Sequence, residues 1–226
     1  MDGTDSDSTN AEDNLLYEEY TQDLVSLTNL ASGTDGQIIT YDASGNPAAV
    51  GPGSDGQVLT STGAGSPPAF EAAPGWTLAT EQATTSGTSV TFGSIPAGTK
   101  IIYVLFEGVS MTAGVDLLVT IGDAGGLETS GYISTGMIID TSSASNQNST
   151  AAFLINVDSG ARIVSGIMTL ALKDSSNFTW ISSHATKGFT DNGGYGGGDK
   201  SLSAELTQVS ISGGTFDAGS INIMYQ

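Results

Sequence analysis

The residues best suited to bind a ligand lie in one glycine-rich segment, residues 188–199. This segment carries aromatic, carboxylate and amide side chains at close spacing: Phe189, Asp191, Asn192, Tyr195 and Asp199. Sugar recognition uses such side chains, because the C–H faces of a sugar ring stack on aromatic rings while the hydroxyl groups bond to carboxylates and amides. The segment predicts a long, flexible hairpin loop, which either carries no ligand or contacts a carbohydrate. The Asn146–Gln147–Asn148 run, in a serine-rich segment (141–150) also expected to be a loop, is a weaker second candidate.

The sequence shows no convincing catalytic set. Glycoside hydrolysis needs two carboxylates at a fixed separation in a cleft, and no pair stands out here. The only histidine, His184, has no G-x-S-x-G element to accompany it. His184 is expected at the edge of a core or facing a loop, with a sugar contact or a metal site shared between chains as alternatives. The chain is therefore expected not to be an enzyme and to need no cofactor.

A second acidic segment, residues 122–128, contains Asp123 and Glu128 within a glycine-rich stretch. Carboxylate oxygens are calcium ligands, but the spacing of an EF-hand loop is missing. An ordinary turn is the plainer interpretation, and no metal site is predicted.

Negative charge is concentrated in the first part of the chain. The net charge is −19, and residues 1–99 hold 13 of the 24 carboxylates and none of the five Lys and Arg. Phosphate-binding surfaces need clustered bases, so the composition predicts no nucleic-acid partner. No apolar run is long enough to predict membrane insertion. The partner of the acidic N-terminus is instead expected to present a basic surface.

Composition divides the chain into four parts. Residues 1–14 predict a disordered acidic arm, residues 15–31 a short helix, residues 32–75 a thin shaft and residues 76–226 one folded domain. The helix carries a heptad stripe at Tyr17, Tyr20, Leu24 and Leu27. A helix this short needs a partner. It either docks on its own domain, or forms a parallel coiled coil or an anchor in a larger assembly.

An internal repeat of 20 residues lies in the predicted shaft. The run GTDGQIIT (33–40) matches GSDGQVLT (53–60), and a proline-containing tail follows each copy. Each copy predicts a turn, a short strand, a second turn and a second short strand. Two such strands cannot bury enough apolar surface alone. The segment is thus either a flexible linker or an intertwined shaft whose missing core comes from identical chains.

The C-terminal part predicts an all-β domain. Two sets of alternating apolar residues predict half-buried strands. They are Val115, Leu117, Val119 and Ile121 in the first, and Ile221, Ile223 and Tyr225 in the second. The run 101–106 is apolar on both faces, which indicates a central strand or a subunit contact. About ten strands separated by turn residues favour a jelly-roll-like β-sandwich. Leu202, Ala204 and Leu206 have the opposite parity to Val209 and Ile211, which predicts a bulge near residues 207–208.

The second repeat resembles a known element. GSDGQVLTSTGAGSPPAFE (53–71) is similar to the G-x-x-G-Q-V-L-T-S-x-G-A-G-x-x-P-x-F element of tail fibres and other appendages of tailed bacteriophages, of the short tail fibre or head fibre type. Residues 85–132 and the ending FDAGSINIMYQ (216–226) also resemble C-terminal domains of such proteins. The resemblance implies a homotrimer on the surface of a virion, with its N-terminus at the particle and its C-terminal domain outermost.

Three hypotheses follow. The first is a homotrimeric virion fibre whose C-terminal domain attaches to a host-surface receptor, a glycan, through three weak sites that act together. The second is a short head fibre or capsid decoration protein held by its N-terminus, with a structural or weakly adhesive role. The third, a polysaccharide-degrading enzyme, has the least support.

Overall fold

The computed structural model describes residues 32–157, 162–188 and 192–226. Every regular element in these ranges is a β-strand, which confirms the predicted all-β class. The chain divides into two compact units, Met1–Pro74 and Gly75–Gln226. The predicted arm and helix, with Tyr17, Tyr20, Leu24 and Leu27, lie outside the described residues. No helix within the described ranges is long and apolar enough to cross a membrane.

The two repeats form two β-hairpins, and residues 32–74 are called the hairpin unit below. The first hairpin pairs β1 (Ile38–Tyr41) with β2 (Pro47–Val50), and the second pairs β3 (Gln57–Thr60) with β4 (Ala69–Ala72). Both copies use the same turn, because Gly36 and Gly56 adopt φ values of 81° and 82°. The next residue in each copy is a glutamine whose side-chain oxygen accepts a backbone N–H three residues upstream, at 2.7 and 2.6 Å.

The hairpin unit leaves its large apolar side chains exposed. Ile39 is 59% exposed and Tyr41 is 67% exposed. Ile38, Val58 and Leu59 are exposed as well. A two-stranded hairpin is marginally stable at best in water. Among the described residues of this unit, no apolar side chain is fully buried. The unit therefore keeps the apolar residues of a strand without the burial that normally stabilises one.

The C-terminal unit consists of two antiparallel sheets. The small sheet has five strands: β7 (Ser89–Phe92), β9 (Leu117–Asp123), β10 (Gly126–Leu127), β13 (Phe153–Ile155) and β17 (Gln208–Ser212). The large sheet has nine strands: β5 (Thr77–Leu78), β6 (Gln82–Ala83), β8 (Ile101–Met111), β11 (Ile133–Ile139), β12 (Ala144–Ser149), β14 (Val164–Asp174), β15 (Thr179–Lys187), β16 (Gly193–Ser201) and β18 (Phe216–Tyr225). The strand order of the large sheet is β12-β11-β16-β15-β14-β8-β18-β5, and β6 also pairs with β18.

One hydrophobic core fills the space between the two sheets. Five of the seven alternating residues that predicted half-buried strands are at most 1% exposed: Leu117, Val119, Ile121, Ile221 and Ile223. Val115 lies before β9 and is exposed, and Tyr225 at the end of β18 is partly buried. Strand β8, apolar on both faces, lies in the interior of the large sheet between β14 and β18, as its sequence predicted. The arrangement is a sandwich of two antiparallel sheets that share one core.

Three local predictions differ from the structure. Residues 193–199 of the predicted loop 188–199 belong to strand β16, and residues 144–149 of the predicted loop 141–150 form strand β12. The predicted bulge near residues 207–208 is also wrong, because 202–207 is an irregular segment whose Leu202 and Leu206 reach the core between β16 and β17. Glycine and serine-rich segments predict loops because they are poor strand formers, but pairing with neighbouring strands overrides that preference.

The glycines of β16 allow close contact with the neighbouring strands. A Cβ atom at Gly196 would lie 2.3 Å from the carbonyl oxygen of Thr135 on β11 and 2.3 Å from Cε1 of His184 on β15. Both distances are well below a van der Waals contact, and one of the two atoms belongs to the backbone. Only glycine fits this position without moving a strand.

We expect Gly196→Ala to lower the free energy of unfolding by about 1–3 kcal/mol, the usual cost of overpacking a tight site. Gly93→Ala is the matched control, because a Cβ at Gly93 would have no atom within 4 Å. Urea unfolding of both variants checks this. Equal stability of Gly196→Ala and the parent chain would show that β11 and β16 are further apart than described.

Candidate functional site

The structure describes three of the five predicted contact residues. Phe189 and Asp191 lie outside the described residues. Tyr195 and Asp199 lie on β16 and share the outer face of the large sheet, which is the face turned away from the small sheet. Asn192 precedes β16, and its backbone carbonyl accepts the N–H of Gly188 at 3.2 Å.

These three residues do not form one site. Tyr195 and Asp199 are four positions apart on an extended strand, so about 13 Å separates their Cα atoms. The ring of Tyr195 leans the other way, over Gly193, where a Cβ atom would lie 3.2 Å from the phenol oxygen. Tyr195 is 52% exposed and stands apart from the surroundings of Asp199.

Asp199 instead lines an open groove on the outer face, with a volume of about 400 Å³. The lining residues come from the β11, β12 and β16 region: Tyr132, Ile133, Ser134, Thr135, Asn148, Ser149, Thr150, Gly197, Gly198 and Asp199. Strand register places Ile133 directly opposite Asp199, and Thr135 between Asn148 and Gly197. The groove thus brings together one residue from each of the two candidate segments, Asp199 and Asn148.

The polar groups of the groove are available to a ligand. Within the described residues, neither the Asp199 carboxylate nor the Asn148 side-chain amide has a hydrogen-bond partner. Thr135 donates its hydroxyl to the carbonyl of Gln147 at 3.1 Å and keeps its oxygen free to accept. None of the lining residues is a lysine or an arginine. The groove can therefore accept hydrogen bonds from hydroxyl groups but offers no cation to an anionic ligand.

The inner face behind the groove is closed by a partly buried ion pair. Lys200 on β16 contacts Glu128, which follows β10, and lies 5.6 Å from the centre of the Tyr132 ring. Burial alone would raise the pKa of Glu128, but the hydrogen bonds from Lys200 and from Ser203 outweigh it and lower that pKa. Burial raises the pKa of Tyr132 to about 12. Lys200 therefore joins the two sheets and does not reach the groove.

The acidic segment 122–128 is the tight turn between β9 and β10, as its plainer interpretation predicted. The Asp123 carboxylate accepts the N–H of Gly125 at 2.7 Å and the hydroxyl of Ser203 at 2.8 Å. Both carboxylates of the segment are thus used by donors of the protein itself. Across the described residues, no group of three or more potential ligands is placed to hold a metal ion.

His184 is a core residue. It is 6% exposed on the inner face of β15, between Ser182 and Thr186, and neither ring nitrogen has a hydrogen-bond partner among the described residues. The two alternative predictions, a sugar contact and a metal site between chains, would require the ring to reach the surface. Burial lowers the pKa of His184 to about 4.

Sequence reasoning missed Ile133 and Thr135, which complete the groove. On β11 the larger residues Ile133, Met137 and Ile139 face outward, whereas two of the three inward positions hold the small residues Ser134 and Gly136, and only the third, Ile138, is large. This is the reverse of the usual alternation in a half-buried strand. The sequence signal that could have indicated an outward apolar face on β11 was this reversed alternation. In the structure, Ile133 is 71% exposed.

Comparisons with protein families, with curated proteins and with solved structures found no match to this chain. No family is therefore assigned from them. The resemblance to phage appendages rests on the sequence elements of the repeats and of the C-terminal domain.

We expect acid to destabilise the C-terminal unit through His184. The folded state holds this histidine neutral down to about pH 4, whereas the unfolded chain protonates it near pH 6.5. Stability contributed by the neutral ring is complete above pH 6.5 and is lost as the pH falls toward 4, about 2 kcal/mol by pH 5. Because the chain has one histidine, proton NMR reports its pKa directly.

The control for this prediction is His184→Leu, which removes the titrating group. Urea unfolding at pH 7.5 and pH 5 is expected to show a smaller loss of stability in the variant than in the parent chain. A measured pKa near 6.5 in the folded protein would contradict the prediction.

Proposed function

We propose that this chain is a homotrimeric fibre protein of a phage virion, with its C-terminal domain exposed to attach to a receptor on the host surface. The observation that carries the proposal is the hairpin unit, whose large apolar strand residues are exposed and have no core among the described residues. A fibre built from parallel copies supplies that core, because each copy presents the same side chains at the same level.

The repeat supports assembly of several copies. Both hairpins have four-residue strands, the same glycine turn and the same glutamine cap, so their apolar residues recur at a fixed spacing of 20 positions. A flexible linker has no physical need to preserve such a register. A shaft in which copies bury these residues against each other does.

The C-terminal unit also offers apolar surface close to its first residue. Trp76 stacks on Tyr103 with 5.0 Å between ring centres, and Leu78 beside it is exposed. Ile167 and Ile181 are exposed further along the same outer face. The exposed side chains of Trp76 and Leu78 are available for contact between copies of the domain.

We expect the full chain to form a trimer in solution, with three times the 22.8 kDa mass of one chain. Ile39→Asp combined with Leu59→Asp places charge at two apolar positions that the proposed trimer buries between copies. This double variant is expected to dissociate the trimer. Ala43→Asp combined with Ala64→Asp adds the same charge in the two turns, and is expected to leave the trimer intact. Multi-angle light scattering at micromolar concentration measures both; a monomeric parent chain would refute the assembled state.

We expect the C-terminal domain to be exposed on the virion and to take part in attachment. Antibodies against residues 76–226, viewed by electron microscopy on virions that carry the chain, would locate it at a tail or on the capsid. Purified trimer added to host cells is expected to reduce adsorption of those virions. Label on the capsid together with unchanged adsorption would favour the alternative, a short head fibre or decoration protein.

A further inference from the structure

We propose that the groove lined by Ile133, Thr135, Asn148, Gly197 and Asp199 binds an uncharged saccharide. The inference names the class of receptor and so depends on the proposed attachment function. Of the contact residues predicted in segment 188–199, the proposed site keeps Asp199 and leaves out Tyr195.

The shape of the groove suits a flat, ring-shaped ligand. Gly197 leaves the floor without a side chain between Thr135 and Ser183, its cross-strand neighbours. Two strand spacings, about 10 Å, separate Asn148 from Gly197, which is room for more than one sugar ring. Ile133 lines one side of the groove and offers an apolar surface for the C–H face of a sugar ring.

The polar groups of the groove match neighbouring hydroxyl groups. A carboxylate accepts two hydrogen bonds side by side, and the Asp199 carboxylate is not engaged by any described residue. An amide both donates and accepts, and that of Asn148 is equally unengaged on the opposite side of the groove. Hydrogen bonds from neutral hydroxyls to a charged acceptor are among the stronger ones that a sugar can make.

Charge decides between neutral and acidic sugars. The groove contains one carboxylate and no cation, and the nearest lysine along β16, Lys200, is buried against Glu128. The chain as a whole carries a net charge of −19. A uronic acid or sialic acid in the groove would bring a second carboxylate near Asp199 without a partner, and like charges at short range oppose binding.

The test uses the fluorescently labelled full chain on two sets of immobilised oligosaccharides of equal length. One set contains neutral hexose and N-acetylhexosamine chains, and the other contains uronic acid and sialylated chains. We expect binding within the neutral set only, weakened about tenfold or more by Asp199→Asn and by Asn148→Ala. Glu107→Gln is the matched control, since it removes the same charge from an exposed strand residue outside the groove and is expected to bind like the parent.

Binding confined to the acidic set, or Asp199→Asn and Asn148→Ala that bind like the parent, would overturn the inference. Light scattering of the same samples separates a lost site from a lost assembly: a variant that is monomeric where the parent is trimeric would show that Asp199 acts in assembly, and would also overturn it. The proposed function has its own readout. If the parent trimer and the Asp199→Asn trimer reduce the adsorption of virions equally well, the proposed attachment function is supported and the proposed saccharide site is refuted.

Discussion

The structure of the C-terminal unit depends on how closely strand β16 approaches its two neighbours. Gly196 has no room for a side chain between β11 and β15, so the central part of the large sheet closes only because β16 contributes bare backbone. The lack of side chains at the glycines of β16 has a different effect on each face of the large sheet. Inside, it leaves space for the His184 ring, and outside, at Gly197, it leaves the flat floor of the groove. A sequence feature typical of mobility therefore serves here as a packing device.

A polar contact complements that packing at the end of β16. Lys200 faces inward and reaches Glu128, while Ser203 in the following segment donates to both Asp123 and Glu128. These residues come from the large sheet, the β9–β10 hairpin of the small sheet and the connection between β16 and β17. Lys200 is buried, so loss of Glu128 would leave its charge without a carboxylate partner, which is destabilising. The contact thus holds in register the chain segments that border the groove.

The sequence predicted the parts of this fold that follow the ordinary rule of apolar residues inside. Strands β9 and β18 were identified by their alternating apolar residues, and β8 by its apolar residues on both faces. The two repeats were identified by their period. Strand β16 was missed because glycine carries no pattern. Strand β11 was missed because its large residues point outward. The groove was out of reach for a further reason: it pairs Ile133 with Asp199 and Thr135 with Asn148, and no local pattern states which distant strands are neighbours. The composition of the two segments indicated Asp199 and Asn148 as candidates, but it grouped Asp199 with Tyr195. On an extended strand the Cα atoms of Asp199 and Tyr195 are about 13 Å apart.

The turns of the hairpin unit have a consequence for how such a chain can change. Each 20-residue copy satisfies its own turn, through a glycine with positive φ and a glutamine that folds back on the backbone. A copy can therefore be duplicated or deleted as a whole without leaving an open turn in the copies that remain. The number of hairpins can then vary in steps of one 20-residue copy, while the sandwich that follows keeps its sequence. Selection could change the number of hairpins separately from the sequence of the C-terminal unit.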